Sequence, residues 1–276
     1  MPGVTTSRCA PIRIGIMSHL IPAKLEEAPA VARAWGFDGI EITLRDDDEV
    51  KPWADAAFRR RFRDWLVRAR CEAPSFCPGL LNHGNLGNAE PDLAGQAARV
   101  LNTLIDAAPD VGIRVILVPF FGKADLKGEA RVDLLIDRIR PLAERAAAGK
   151  VVLALETTLP ASSLLAVLKR IASPSVKVYY DLANAVWQNY DPVAEIRELG
   201  AAIAQVHLKD NVADSKGWGG FRVVPLGAGR VDFASCAAAL RAVRYAGWYV
   251  LETAVVDHDY RRSAETQLRF AREHFE

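Results

Sequence analysis

Residues 151–156 read VVLALE, an apolar run closed by a glutamate. Nothing in the run alternates between polar and apolar, which is the pattern of a strand covered on both faces in a parallel sheet. Outward from it the same unit recurs. Upstream stand Arg114–Val118, Pro74–Cys77, Gly39–Thr43 and Arg13–Met17; downstream stand Val176–Asp181, Ile203–Lys209 and Trp248–Glu252. Amphipathic stretches follow these eight runs in turn: Leu25–Trp35, Ala54–Ala69, Leu93–Ala108, Val132–Ala148, Ser163–Ile171, Val193–Leu199, Phe233–Tyr245 and Tyr260–Phe275. In the second of them Phe58, Phe62, Trp65, Leu66 and Ala69 share one helical face, with arginines opposite. Ser162 and Asp232 are the expected N-caps of their helices. Strand then helix, eight times, is the count of an α/β protein built as a single (β/α)8 TIM barrel, with residues 1–276 as one domain. An open doubly wound sheet would carry a glycine-rich phosphate loop after its first strand, and this chain has IMSH (16–19) there.

Composition narrows the classes of function. Lysine and arginine total 35 against 34 acidic residues, a formal net charge of +1, which argues against a nucleic-acid-binding surface. The run Arg59–Arg61 reads as a solvated helix face. No apolar run approaches the roughly 18 residues of a membrane span, and Met1–Pro11 lacks the apolar core of a signal peptide. Cys9, Cys71, Cys77 and Cys236 are scattered, as reduced thiols are in a cytoplasmic protein. The longest irregular stretches, 79–91 and 210–231, fall at strand-to-helix junctions, where barrels build their sites.

Four consecutive strands each place one metal-capable side chain near the carboxyl end: Glu156, Asp181, His207 and Glu252. Charges emerging from apolar strands need a partner or a metal. One histidine with three carboxylates suits a single hard divalent ion, Mn2+ or Mg2+ first, with Co2+ and Zn2+ as alternatives. Glu41, ending the second strand, is a candidate substrate contact or supporting carboxylate. His19 follows the first strand and is a candidate for the pocket wall. Lys209 and Asp210 follow His207; Lys209 is a candidate substrate contact, and Asp210 is the expected partner orienting that histidine. Arg222 and Lys216 are candidates to hold a phosphate or a ligand hydroxyl. Trp187 and Trp218 are candidates to stack on the apolar face of a ligand. Gly227 and Gly229 serve the backbone of a loop before a helix, a place where phosphates bind in barrels.

The strings GFDGIEI (36–42), DVGIRVI (110–116), LALE (153–156), YYDLAN (179–184), VHLKD (206–210), VPLGAGRVDF (224–233) and VLE (250–252) carry a resemblance across nearly the whole chain. Together they resemble the sugar-phosphate isomerase/epimerase family with its xylose-isomerase-like barrel. The likeness is nearest to L-ribulose-5-phosphate (L-xylulose-5-phosphate) 3-epimerases and more distant to D-tagatose 3-epimerase. By position, the resemblance implies Glu156, Asp181, His207 and Glu252 as metal ligands, with Glu156 and Glu252 also the acid/base pair. It further implies His83 as a substrate contact, and Asn184 beside the sugar, an asparagine that resembles the phosphoketose branch where free-ketose epimerases carry histidine. Ala183 stands where the phosphoketose branch favours glycine.

The chemistry implied is 3-epimerisation of a small ketose or ketose phosphate through a cis-enediolate, one glutamate removing a carbon-bound proton and the other returning one to the opposite face. The alternative on the same barrel is a metal-dependent dehydratase of keto-inositol or dehydroshikimate type, which shares the first proton abstraction and then expels water. An endonuclease-type site would need many histidines and a basic groove, and the chain has five histidines in all. The expected partner is a small sugar or sugar phosphate, without nucleic acid or membrane. Small barrels of this kind often pair, so a homodimer or homotetramer is within expectation.

Overall fold

The computed structural model describes residues 12–276. The readings made on Met1–Pro11 and Cys9 lie outside them, and the side chain of Trp218 is likewise outside the description. The strands, in chain order, are β1 (Arg13–Met17), β2 (Gly39–Thr43), β3 (Ser75–Cys77), β4 (Val115–Phe120), β5 (Val152–Thr157), β6 (Val176–Asp181), β7 (Ile203–Leu208), β8 (Asp210–Ala213), β9 (Phe221–Val224) and β10 (Trp248–Leu251). All but β8 and β9 close into one parallel barrel, in the order β1-β10-β7-β6-β5-β4-β3-β2. The expected (β/α)8 TIM barrel is therefore the fold.

Around it run α1 (Ala28–Ala34), α2 (Asp47–Val50), α3 (Ala56–Ala69), α4 (Pro91–Val111), α5 (Glu129–Ala148), α6 (Ala161–Ile171), α7 (Leu182–Trp187), α8 (Pro192–Leu199), α9 (Phe233–Ala242) and α10 (Tyr260–Phe275). The strands are apolar on both faces because side chains alternate between the barrel interior and the helix layer; every residue of β4 is buried. At the first sheet-to-helix seam, Trp53 meets Phe62 and Phe76 edge to face, with ring centroids 4.9 and 4.6 Å away. Arg60 and Arg61 are exposed as expected. Arg59 is not merely solvated: it donates to the Trp53 carbonyl at 2.8 Å and pairs with Asp110 of α4 at 2.8 Å.

Asp232 caps α9 as expected, accepting from the Ser235 amide at 3.0 Å. Ser162 does not cap α6. That helix starts two residues earlier than expected, at Ala161, after the extended Pro160, and the Ala161 amide donates to Glu195 Oε1 at 2.8 Å.

The two long loops are more ordered than their sequence suggested. Within 79–91 the chain makes a 3-10 turn, Gly79–His83, before α4. Within 210–231, β8 and β9 pair as an antiparallel hairpin, from Asp210 opposite Val224 to Ala213 opposite Phe221. After β9 the backbone wraps the Asp210 carboxylate. Gly227 and Gly229 donate to Oδ2 at 3.0 and 2.8 Å, and Arg230 and Val231 donate to Oδ1 at 2.9 and 3.2 Å. A Cβ on Gly229 would sit 2.1 Å from Asp210 Oδ1, so only glycine fits. The amides read as a phosphate cradle are thus filled by an internal anion.

Candidate active site

The barrel brings Glu156, Asp181, His207 and Glu252 together at the carboxyl ends of β5, β6, β7 and β10, with one ligand atom from each inside a set spanning no more than 4.8 Å. Register produces this. Asp181 pairs with His207 across β6 and β7, and His207 pairs with Val250, two residues before Glu252. Asp181 Oδ1 accepts the Asn184 amide at 2.8 Å, capping α7, while Oδ2 has no hydrogen-bond partner. His207 Nδ1 is also without one: it lies 3.1 Å from Glu252 Oε2 and 3.7 Å from Glu156 Oε1, off the line of a hydrogen bond. Orphaned buried polar atoms are rare in folded proteins. Two of them facing one point, among oxygen donors and one imidazole, fit a divalent cation.

Opposing effects set the protonation of the cluster. Burial pushes the Glu156 carboxyl up to about 7, against the pull of His207. Burial likewise raises Asp181, with Lys209 opposing. Burial would also raise Glu252, but Lys209 and His207 outweigh it and hold that carboxyl well below its usual range. His207 is held well above its usual value because Glu41, Glu156 and Glu252 overcome the cost of burying the imidazolium. Lys209, 9% exposed, donates to Glu252 Oε1 at 2.7 Å and lies 3.5 Å from Asp181 Oδ2; these carboxylates raise its affinity for a proton despite burial.

His207 is oriented by Glu41, not by Asp210. Glu41 is wholly buried in β2, and its Oε1 lies 2.9 Å from His207 Nε2. A carboxylate only accepts, so Nε2 carries the hydrogen. Glu41 Oε2 in turn accepts from Ser75 Oγ at 2.5 Å and Tyr179 Oη at 2.6 Å, and Gln205 Nε2 donates to both of those hydroxyls, at 2.6 and 2.8 Å. Asp210 is spent on the loop amides described above. A carboxylate fixing the far nitrogen of a ligand histidine sets its tautomer and its aim.

A cavity of about 620 Å3 opens over the cluster. Among the candidate contacts, Asn184, Lys209 and Trp187 line it, together with Glu156, His207 and Glu252. Asn184 Nδ2 donates to Glu156 Oε1 at 3.1 Å. Trp187 also packs on Phe221 of the hairpin, with centroids 5.2 Å apart. Glu41 lies beneath the cavity. His19 lines a neighbouring cavity of about 440 Å3 and meets Thr43 Oγ1 at 3.1 Å; Thr43 stands between the two cavities. His83 is exposed, and the cavity takes its neighbour Asn82. Arg222, 62% exposed, faces Asp214 at 3.6 Å on the hairpin, and Lys216 is exposed. Sequence reading missed Asn82, Asp125 and Thr158. The last two follow the ends of β4 and β5, and that position was the available signal.

The fold and site belong together in a known class. The chain is a member of the xylose isomerase-like TIM barrel family, whose profile matches residues 29–274. It is 28% identical over 255 residues to the L-ribulose-5-phosphate 3-epimerase UlaE of Escherichia coli O157:H7, covering 87% of each chain. Its fold is similar to that of the 3-keto-D-glucoside 4-epimerase YcjR from E. coli, with a TM-score of 0.77 at 17% identity over 95% of this chain and 100% of that one. It is likewise similar to an L-ribulose 3-epimerase, with a TM-score of 0.77 at 22% identity over 96% of this chain and 94% of that one. Among the described residues no helix is long and apolar enough to cross a membrane.

Proposed function

We propose that the protein is a divalent-metal-dependent epimerase acting at C3 of a small ketose or ketose phosphate, with Glu156 and Glu252 as its acid/base pair. The observation that carries this reading is the convergence of both glutamates on His207 at the floor of a cavity large enough for a sugar. The name borne by the curated relatives, L-ribulose-5-phosphate 3-epimerase, supports it.

Glu156, Asp181, His207 and Glu252 would hold the ion, Mn2+ in the first instance. A bound divalent ion would polarise the ketose carbonyl and its neighbouring hydroxyl, favouring loss of the adjacent carbon-bound proton. The chain supplies the rest. Glu252, kept anionic by Lys209, takes the proton from C3 of the bound ketose. The electron pair moves into the C2–C3 bond and onto the C2 oxygen, giving a planar enediolate. Glu156 returns a proton to the opposite face of C3, and the configuration inverts. Asn184 holds Glu156, and Glu41 holds His207, so that neither turns away during the transfer.

The test is proton exchange in D2O, followed by NMR after the Mn2+ is removed. Deuterium at C3 together with a new epimer is the expected result. Glu252→Gln should cut exchange by about 10²–10⁴-fold. Deuterium confined to C1 or C2 would refute C3 epimerisation in favour of aldose–ketose isomerisation, and a new enone absorbance would refute it in favour of dehydration.

A further inference from the structure

Resting on the reading above, we infer that the cavity selects an uncharged keto sugar over its phosphate, and that Asp125 is the residue that sets this preference. Asp125 follows the 3-10 turn Gly122–Ala124 after β4 and stands on the wall of the same cavity as Glu156 and Glu252. Its side chain is 13% exposed. Thr158 Oγ1 donates to its Oδ1 at 2.9 Å, and Arg131 pins its backbone carbonyl at 2.9 Å. The carboxylate is therefore held in place at the wall.

The cations available to a phosphate are few. Among the described residues lining the cavity, the lysines and arginines are Lys127 and Lys209. Lys209 is engaged by Glu252 and Asp181 on the cavity floor. Lys127 is 82% exposed and already faces Asp125 Oδ2 at 3.5 Å. The other natural phosphate seat, the glycine loop 227–229, is filled by Asp210. What remains is a neutral hydrogen-bonding wall: Asn82, Thr158, Asn184 and Gln188, with Phe121 and Trp187 between them. Asn82 Oδ1 is buried without a hydrogen-bond partner.

This wall offers acceptors. Asp125 presents a carboxylate at the cavity wall, and a carboxylate asks the ligand for donors. Sugar hydroxyls donate. A phosphate dianion has only acceptors, and it would meet the Asp125 carboxylate as a like charge. Discrimination built from repulsion and unmet donors is the ordinary way a site rejects a near-identical ligand.

The test compares L-ribulose with L-ribulose 5-phosphate on the Mn2+-loaded protein, by C3 deuterium exchange and by calorimetric binding. The wild type should prefer L-ribulose by tenfold or more in kcat/KM and in Kd. Asp125→Asn should narrow that ratio to within about threefold, chiefly by lowering KM for the phosphate. Lys127→Gln should leave the preference for L-ribulose in place. Tighter binding of the phosphate by the wild type, lost tenfold or more in Lys127→Gln, overturns the inference, as does an Asp125→Asn variant with an unchanged ratio. Preferential binding of L-ribulose without exchange refutes the proposed reaction and leaves the charge selection standing. If neither sugar binds at 50 mM, roughly the weakest affinity of interest, both fall.

Discussion

Replacing Glu41 by glutamine changes almost no volume and tests how His207 is aimed. Glu41 Oε2 collects hydroxyl donors from Ser75 and Tyr179, while Oε1 meets only His207 Nε2. An amide in this place has one oxygen to give. Two donors outcompete one, so the oxygen goes to Ser75 and Tyr179 and the NH2 turns toward His207. Nε2 must then accept, and the imidazole hydrogen moves to Nδ1, the nitrogen that faces the three carboxylates. A donor now points where a cation needs a lone pair. Loss of such a supporting carboxylate typically costs 10–100-fold in metal affinity, or about 1.4–2.7 kcal/mol. Glu41→Gln should therefore weaken Mn2+ binding by that factor in a chelator competition, while urea denaturation reports a folded protein. Nitrogen-15 NMR of the metal-free variant, at a pH where His207 is neutral, should show its single hydrogen on Nδ1. Mn2+ affinity within threefold of wild type, with the tautomer unchanged, would falsify the assignment of Glu41 as the orienting group.

Two more outcomes follow from the charges around His207. Lys209→Met strands Glu252 and Asp181 without their buried cation, which should cost about 3–5 kcal/mol in the metal-free protein. Most of that loss should return with saturating Mn2+, and an equal loss in EDTA and in Mn2+, read by urea denaturation, would count against a charge-balancing Lys209. Metal binding should also rise with pH. Burial lifts metal-free Glu156 to about 7 and the surrounding carboxylates hold His207 protonated well above its usual value, so both must shed protons to bind an ion. Affinity should climb about tenfold or more per pH unit between 6 and 8; calorimetry in buffers of differing ionisation heat should detect protons released, and a flat profile refutes the assignment.

The barrel was legible because its strands are short apolar runs with helical repeats between them, and a strand such as β5 has no other way to be read in company with seven like it. The metal-ligand candidates were legible for a related reason: a charge at the end of an apolar strand is costly unless something answers it. Glu41's partnership with His207 was not legible. The two are 166 residues apart and meet across the barrel interior, whereas Asp210 lies three residues from His207 and made the tempting choice. The hairpin of β8 and β9 was hidden by its length and by the polar Asp210 and Asn211 at its start. Asn82 and His83 are neighbours on a tight turn, and only the turn's direction decides which faces the cavity. Ser162 failed as a cap because Glu195, from α8, already served the Ala161 amide.

The amides gathered by Asp210 act as a knot at the base of the hairpin. Gly227, seventeen residues further along the chain, is tied back to the position where β7 has just ended. The segment between is thus a loop closed at its neck, and lengthening such a loop adds little further entropy cost, about 0.6 kcal/mol for a doubling. Segments of other lengths and sequences can be exchanged above the knot without disturbing the strands below. Because Phe221 in this segment packs on Trp187 at the cavity wall, such exchange would reshape the mouth while the acids beneath stay fixed. The barrel thereby sets a replaceable mouth above the part of the protein that performs chemistry, and a library built on residues 212–223 with Phe221 kept, since its ring centroid lies 5.8 Å from Lys209 Nζ, would vary what enters while leaving that contact in place.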